Sequence, residues 1–331
     1  MVIATQLKSA ITGNRSIIIG LALLAVLSFV GAVMVDGFLS INNVRSMLLL
    51  AAFLGLASLG QTLCALLGGL DLSIPYVIGA SNILMAATLS ARWPAPVGIL
   101  VLIISGLLIG ALNGMLTFRV QGQALIMSLG MGLAVVGSAQ IVASNDAIQG
   151  GNNFGSVPDW LSNFASIAGT SFGLPVPLVV IVWIGLTILV VIAMSNTWFG
   201  RSFYALGGSR VAAARLGISE SKLWVASYAI SGAMAAFTGI ALLGFSGGGF
   251  VGVGDPYLFT TVAAVVIGGT SLLGGWGGYG ATVIGVLVLT VLTTLLVGLG
   301  LSYAAQQAVF GLLIVPMVAL YARSPNIRMQ I

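Results

Sequence analysis

The sequence has no histidine, a single cysteine and very few charges, and each shortage excludes a class of protein. Histidine is the commonest general base, metal ligand and proton relay, so its absence removes most catalytic and metal-binding schemes. The cysteine, Cys64, lies in an apolar run, which excludes a disulfide framework and a cysteine-based metal cluster. The usual hydrolase and phosphate-loop motifs are also missing. We therefore expect no enzymatic activity and no metal in this chain.

Charged residues make up only 5% of the 331 residues, whereas 59% are hydrophobic. A soluble domain carries about 25% charged residues, so these few charges cannot cover a water-exposed surface. Lipid is therefore the predicted main solvent of the chain. The eleven Lys and Arg residues are scattered between apolar runs and form no basic face, which argues against a nucleic-acid partner.

Ten apolar runs are each long enough for a transmembrane helix, which takes about 20 residues. They predict an all-α polytopic membrane protein that forms a single transmembrane domain over residues 1–331. Glycine-rich sequence interrupts the eighth and ninth runs, and the similar Leu-Leu-Gly-Gly stretches at 66–69 and 272–275 favour broken helices in an inverted repeat. The runs lie near 17–35, 46–67, 74–91, 95–118, 124–144, 174–194, 223–245, 257–273, 281–300 and 303–322.

The distribution of cations predicts the orientation of the chain. With ten spans and a cytoplasmic N-terminus, nine of the eleven Lys and Arg residues fall on the cytoplasmic side, and only Arg45 and Arg92 fall outside. We therefore expect a multi-pass membrane protein with both termini in the cytoplasm.

Two connecting segments are long. Residues 145–173 form a polar external segment with Asp146 and Asp159 and no cation. Residues 195–222 form the largest cytoplasmic loop, with four cations and one acid. Within it, Ser209 at an N-cap position and Gly217 as a stop signal predict a short helix.

Transport is the broad function that these exclusions leave. Ion-coupled carriers usually keep ionisable residues inside the bilayer, whereas the acids here fall at predicted span ends or in loops, so we expect another subunit to supply the energy. Asp71, just past the second span, is either an anchor or gate residue at a helix break or a cap for the next helix.

Neutral polar residues within the spans or at their ends predict the polarity of the pathway. Each could equally form an interhelical hydrogen bond. As a set they suit a neutral, hydroxyl-rich solute better than an ion. The predicted translocation pathway or gate residues are Gln61, Asp71, Ser73, Asn113, Thr270, Ser271, Gln306 and Gln307.

Several segments resemble, in order, the permease subunits of ribose-type sugar ABC importers: 60–73, 110–114, 196–218, 231–239, 263–272 and 306–314. The chain departs from the family pattern at 258–261, at Phe310 in place of a lysine and at Ser209 in place of an asparagine. It therefore looks like a divergent branch of the binding-protein-dependent transport permeases.

The resemblance implies a membrane subunit that works with a second, identical or similar permease chain, two ABC ATPase subunits and a periplasmic substrate-binding protein. ATP and Mg²⁺ would then bind the ATPase subunits, and this chain would bind no cofactor. Segment 195–222 would dock on the ATPase. The residues implied for this coupling surface are Phe199, Gly200, Arg201, Tyr204, Gly207, Gly208, Ala213, Arg215 and Gly217.

The expected cargo is a sugar or sugar-like polyol, although alternatives remain open. One is an ABC permease for a nucleoside, a furanone signal or an amino acid. Another is a stand-alone secondary carrier of small neutral solutes. An intramembrane enzyme is a poor alternative, since histidine and catalytic pairs are missing.

Overall fold

The computed structural model describes residues 2–120, 124–144, 152–153 and 157–322. In this part of the chain there are thirteen α-helices, two short strands and a 3₁₀ turn at Val251–Gly254. The helices are α1 (Val2–Met34), α2 (Ile41–Leu66), α3 (Ile74–Ser90), α4 (Ala95–Arg119), α5 (Ala124–Ser144), α6 (Asp159–Ala165), α7 (Leu178–Asn196), α8 (Trp198–Gly208), α9 (Arg210–Arg215), α10 (Glu220–Ser246), α11 (Tyr257–Ile267), α12 (Tyr279–Gly298) and α13 (Tyr303–Ala322). The strands β1 (Asn152–Asn153) and β2 (Gly249–Phe250) pair antiparallel.

A helix occupies each of the ten predicted membrane segments, which confirms the all-α polytopic architecture. Among the described residues, seven helices are long and apolar enough to cross a bilayer: α1, α2, α4, α5, α7, α10 and α12. The helices α3, with 17 residues, and α11, with 11, are shorter. The predicted span 257–273 is wrong beyond Ile267, because α11 ends there and Gly269 takes a φ of +88°, which a helix cannot accommodate.

The two central helices of the bundle are α2 and α10. In α2, 89% of the most apolar stretch is buried, whereas the corresponding share of α1 is 11%. The outer helices α1, α4, α5 and α7 present exposed leucine, isoleucine and valine side chains. Hydrocarbon solvates such apolar side chains, and a helix pairs its own backbone N–H and C=O groups. This outer surface therefore suits contact with lipid.

Small residues bring α4 into close contact with α10. A Cβ atom at Gly106 would meet the carbonyl oxygen of Gly232, and one at Gly110 would meet that of Tyr228. Membrane helices without bulky side chains at the interface can approach in this way. The contact places Asn113, one turn after Gly110, on the buried side of α4.

Two glycine-rich breaks meet at one end of the bundle, called here the break end. The first break, 67–73, separates α2 from α3, and the second, 268–278, separates α11 from α12. The Gly275 N–H donates to the Leu66 carbonyl oxygen at 2.9 Å, so the two similar Leu-Leu-Gly-Gly stretches are neighbours. The predicted broken helices are confirmed, and the inverted repeat stays a prediction. Positive φ angles occur at six glycines of these breaks: Gly68, Gly269, Gly274, Gly275, Gly277 and Gly278.

Segment 195–222 contains two helices where the sequence predicts one. The short helix α9 begins after Ser209, whose hydroxyl accepts the Ala212 N–H at 3.2 Å, and Gly217 follows it with a φ of +74°. The preceding helix, α8, is not predicted from the sequence. Its N-cap is Thr197, whose hydroxyl accepts the Gly200 N–H at 3.4 Å.

Segment 145–173 is described only at 152–153 and from 157 onward, so Asp146 lies outside the described residues. Asn152 and Asn153 pair with Phe250 and Gly249, which ties β1 to the chain after α10. Asp159 is exposed in the first turn of α6, a helix that packs against α10.

Candidate functional site

A buried polar cluster lies where the first break returns into the bundle. One carboxylate oxygen of Asp71, Oδ1, accepts hydrogen bonds from the Ser73 backbone N–H at 2.9 Å and the Ser73 hydroxyl at 2.6 Å. It also accepts from Asn113 Nδ2 on α4 at 3.1 Å and from the Ser128 hydroxyl on α5 at 3.0 Å. Four donors therefore converge on one oxygen and join the break to two further helices.

Gln61 on α2 completes this group. Its Oε1 accepts the Asp71 N–H at 3.3 Å. We call Gln61, Asp71, Ser73, Asn113 and Ser128 the Asp71 cluster. The structure thus brings together four of the eight predicted pathway residues, and each of the four is at most 1% exposed.

Ser128 is a member of the Asp71 cluster that the sequence analysis missed. Its hydroxyl accepts the Leu72 N–H at 2.8 Å in addition to donating to Asp71. The feature of the sequence that could have identified Ser128 is its hydroxyl group among Ala, Leu, Ile and Met residues at the start of α5.

Asp71 lies where the sequence places it, just past the second span in the first break, but it is buried within the protein. The residue is 1% exposed because the chain turns at Gly68 and Gly69 and runs back between α2, α4 and α5. The N–H groups of both glycines bond the last carbonyls of α2, which ends the helix in the usual manner. Among the described residues, no cationic side chain forms an ion pair with Asp71.

Thr270 and Ser271 belong to the second break and lie outside the Asp71 cluster. The Thr270 hydroxyl accepts the Gly278 N–H at 3.1 Å and lies 3.4 Å from the hydroxyl of Thr282, which accepts from Thr62 at 3.0 Å. The half-buried Ser271 hydroxyl accepts the Leu273 N–H at 3.1 Å. These hydroxyls therefore stabilise the second break against α2 and α12.

Gln306 and Gln307 also lie apart from the Asp71 cluster. They are in the first turns of α13, after the turn that follows α12. Gln306 Nε2 donates to the Leu301 carbonyl at 3.0 Å, which is a local contact, and Gln307 is half-buried beside it. The predicted set of eight pathway residues is therefore divided among three places.

The predicted coupling residues divide between an inner and an outer face of α8 and α9. Five pack inward or are at least half-buried: Phe199, Gly200, Tyr204, Gly207 and Ala213. Four are exposed: Arg201, Gly208, Arg215 and Gly217.

The inner face of α8 contacts the end of α2 and the second break. A Cβ atom at Gly207 would meet the Leu66 carbonyl oxygen and the Gly275 N–H group, so α8 touches the end of α2 and the second break at one point. The Tyr204 hydroxyl donates to the Gly277 carbonyl at 3.0 Å. Burial raises the pKa of Tyr204 above its usual value, so the phenol remains a donor at neutral pH. We call the contact among Leu66, Gly207 and Gly275 the glycine junction.

The outer face carries large apolar residues that the sequence analysis did not single out. Trp198, Val211 and Leu216 are 65%, 67% and 73% exposed. They accompany the exposed Arg201 and Arg215, so this face combines apolar contact area with positive charge. Within the described part of the chain, no group of three or more metal-ligating side chains is present.

Comparison with known proteins gives matches along nearly the whole chain. Residues 43–318 match the family described as branched-chain amino acid transport system / permease component. The probable ABC transporter permease protein YphD of Escherichia coli is 33% identical over 95% of this chain and 92% of its own. The ribose import permease protein RbsC of Escherichia coli is 30% identical over 91% of each chain. The autoinducer 2 import system permease protein LsrD of the same species is 27% identical over 84% of this chain and 82% of its own. No solved structure gives a significant match.

Proposed function

The chain belongs to the family of permease components of branched-chain amino acid transport systems, and on that premise we propose that it is the membrane subunit of an ATP-driven ABC importer for a sugar or sugar-like polyol. The assignment of the cargo rests on the match to a ribose import permease over 91% of each chain. A neutral polar interior, with hydroxyl and amide groups around Asp71, supports the same cargo class.

The proposed assembly contains two permease chains, two ABC ATPase subunits and a periplasmic binding protein that delivers the solute. ATP and Mg²⁺ act on the ATPase subunits, and this multi-pass chain provides the path through the inner membrane, with both termini in the cytoplasm. Support for the ATPase contact comes from the outer face of α8 and α9, where Trp198, Val211 and Leu216 are exposed beside arginines. Aromatic residues and arginine are enriched in the buried centres of protein interfaces.

The proposed coupling step is a movement of α8 that follows closure of the ATPase subunits. Because Gly207 touches the end of α2 and the second break, such a movement would shift both breaks together. The first break carries Asp71, so the polar cluster would change its packing in the same step. Alternating access then follows if the nucleotide-bound and nucleotide-free states favour different arrangements of the breaks.

The test is gentle purification of the tagged chain from its native membrane, followed by mass spectrometry of the proteins that co-purify. We expect a P-loop ATPase in roughly equal amounts, with or without a second permease. Recovery of this chain alone, even after crosslinking in the membrane, would contradict the proposal and favour the stand-alone carrier.

The cargo is tested on the binding protein of the same system. Calorimetry with sugars, polyols, nucleosides, furanones and amino acids is expected to give heat of binding with a sugar or polyol. Tight binding of a furanone or a branched-chain amino acid would keep the importer and change the cargo. The furanone is the signal that the sequence analysis left open, and branched-chain amino acids are included because the family description names them.

A further inference from the structure

Three polar atoms of the Asp71 cluster have no hydrogen-bond partner among the described residues, although each is fully buried. They are Asp71 Oδ2, Asn113 Oδ1 and Gln61 Nε2. Buried polar groups nearly always have a hydrogen-bond partner, because a group that loses its water and gains no partner costs folding free energy. Three such atoms on residues that contact one another therefore indicate a site that binds a polar ligand.

The network fixes which end of each amide is free. Gln61 Oε1 accepts the Asp71 N–H, so Nε2 is the unpaired end. Asn113 Nδ2 donates to Asp71 Oδ1 and to the hydroxyls of Ser73 and Ser128, so Oδ1 is the unpaired end. Turning either amide over would set two donors or two acceptors against each other.

The free atoms are two acceptors and one donor. A cation would be coordinated by the two oxygens, but the amide N–H group of Gln61 would face it unfavourably. A hydroxyl group both donates and accepts, so a solute with adjacent hydroxyls can pair with all three atoms. The carboxylate oxygen is the strongest acceptor of the three because hydrogen bonds to a charged group are the stronger ones.

Two more buried hydroxyls lie next to this group. The Ser58 hydroxyl has no partner among the described residues, and Ser58 and Gln61 are three residues apart on α2 and therefore on the same side of the helix. The Ser231 hydroxyl on α10 faces the Cys64 thiol, a weak partner, and Ser231 packs against Gly60, the residue before Gln61. Buried polar side chains thus continue from the Asp71 cluster along the contact between α2 and α10.

From this we infer that Asp71 Oδ2, Asn113 Oδ1 and Gln61 Nε2 form a subsite that binds adjacent hydroxyl groups of the solute during its passage. This inference rests on the proposed function for the class of solute and deepens it by assigning the atoms. Because the three residues are buried inside one chain, the solute reaches the subsite when the first break moves away from α4 and α5.

The experiment uses the full chain in lipid nanodiscs and follows thermal unfolding by tryptophan fluorescence. A ligand that binds the folded state raises Tm, and the rise grows with the logarithm of one plus the ratio of its concentration to Kd. The polyhydroxyl probes are D-ribose, D-galactose and ribitol. The matched compound is 2-deoxy-D-ribose, which lacks one of the adjacent hydroxyl groups. Binding of a cation is tested by comparing NaCl with choline chloride. We expect at least one polyhydroxyl probe to raise Tm, and we expect 2-deoxy-D-ribose to bind about tenfold more weakly than D-ribose if D-ribose binds.

Two nearly isosteric variants test the assigned atoms. Gln61→Glu replaces the single donor with an acceptor, and Asp71→Asn removes the charged acceptor, so each is expected to weaken polyol binding about tenfold. The control is Thr290→Val, because the Thr290 hydroxyl is buried and bonds only its own helix at Val286. The control is expected to leave polyol binding unchanged.

Several results would overturn the subsite. One is a sodium-specific rise in Tm that strengthens in Gln61→Glu, which would identify a cation site. Others are no protection by any polyhydroxyl probe, or protection that is equal in wild type and both variants. The proposed function fails separately, when no ATPase co-purifies. A complex that contains an ATPase and imports a sugar, while its permease shows no cluster-dependent protection, retains the proposed function and loses the subsite.

Discussion

At the scale of single residues, Asp71 anchors the first break to two further helices. Its Oδ1 accepts from Asn113 on α4 and from Ser128 on α5. The same oxygen accepts the Ser73 N–H, which forms an Asx turn before α3 and leaves the N–H groups of the first helical turn without a side-chain cap. One carboxylate oxygen can take several donors from different directions. The sequence could not choose between an anchor and a cap because both roles fit one position in the chain.

Asp71→Ala is expected to destabilise the folded chain. The change removes the carboxylate that accepts from the buried hydroxyls of Ser73 and Ser128, and each unsatisfied buried group costs about 1–3 kcal/mol. We expect the free energy of unfolding to fall by about 2–4 kcal/mol. The measurement is the unfolding transition of the full chain in mixed micelles, with exposed Asp255→Ala as the control. Equal transitions for the two variants would contradict the role assigned to the network.

At the scale of secondary-structure elements, the glycine junction explains why glycine is required at one position of α8 and not at the next. Gly207 faces the Leu66 carbonyl and the Gly275 N–H, whereas Gly208 has no atom within 4 Å of a Cβ. The two residues are adjacent and end the same helix, so they differ only in what they contact. The sequence shows two glycines, and packing separates their roles.

This contrast gives a matched pair of variants. Gly207→Ala is expected to lower the Tm of the full chain, because the backbone atoms it meets cannot move without opening the contact between α2 and the second break. Gly208→Ala is expected to leave Tm unchanged or slightly higher, since alanine favours helix by about 1 kcal/mol over glycine. Thermal unfolding in nanodiscs measures both. A lower Tm for Gly208→Ala with no change for Gly207→Ala would contradict the packing of Gly207 against Leu66 and Gly275.

The elements also show where hydrophobic pattern alone is insufficient. The sequence predicts α2 and α10 as ordinary spans, like α1 or α7, because all four are apolar over a similar length. In the structure α2 and α10 are buried in the centre, with fully buried polar side chains such as Gln61 on α2 and Thr238 on α10. A hydropathy pattern measures compatibility with an apolar environment, and both lipid and protein interior provide one.

At the scale of the whole molecule, the break end and the opposite end differ in their charges. The exposed cations Arg201, Arg210 and Arg215 lie on the α8 and α9 segment beside the breaks. The opposite end carries α6 and the β1–β2 pair. Since positive charge favours the cytoplasmic side, the break end is predicted to face the cytoplasm.

The orientation can be measured with introduced cysteines. The native Cys64 is fully buried and is expected to react slowly with a membrane-impermeant maleimide. In spheroplasts, Thr170→Cys is expected to be labelled, whereas Ser221→Cys is expected to be labelled only after lysis. Both positions are exposed, so accessibility within the protein is matched. Labelling of Ser221→Cys in intact spheroplasts would reverse the orientation.

The outer face of α8 and α9 gives a prediction about coupling. Arg215→Glu reverses the charge of an exposed side chain, so we expect unchanged membrane insertion and loss of substrate-stimulated ATP hydrolysis in the assembled complex. Arg92→Glu is the control, because Arg92 is also exposed but lies in the short turn between α3 and α4, away from this segment. Stimulation that survives Arg215→Glu would remove Arg215 from the ATPase contact.

The sequence by itself determined the membrane class, the all-α architecture, the positions of ten apolar helices and the family. Composition, hydrophobic length and ordered motifs carry this information, because a bilayer restricts a spanning chain to helices with internally paired backbones. It also selected eight polar residues near the spans, without separating the four that meet, Gln61, Asp71, Ser73 and Asn113, from the others.

Only the tertiary structure decided which of these residues meet. Asp71 reaches Asn113 and Ser128 because the chain turns back at Gly68, and Gly207 reaches Leu66 and Gly275 because two breaks end at one level of the bundle. The same packing separated Thr270 and Gln306 from the Asp71 cluster. Contacts between residues distant in sequence depend on helix packing, and neither hydropathy nor a local motif specifies that packing.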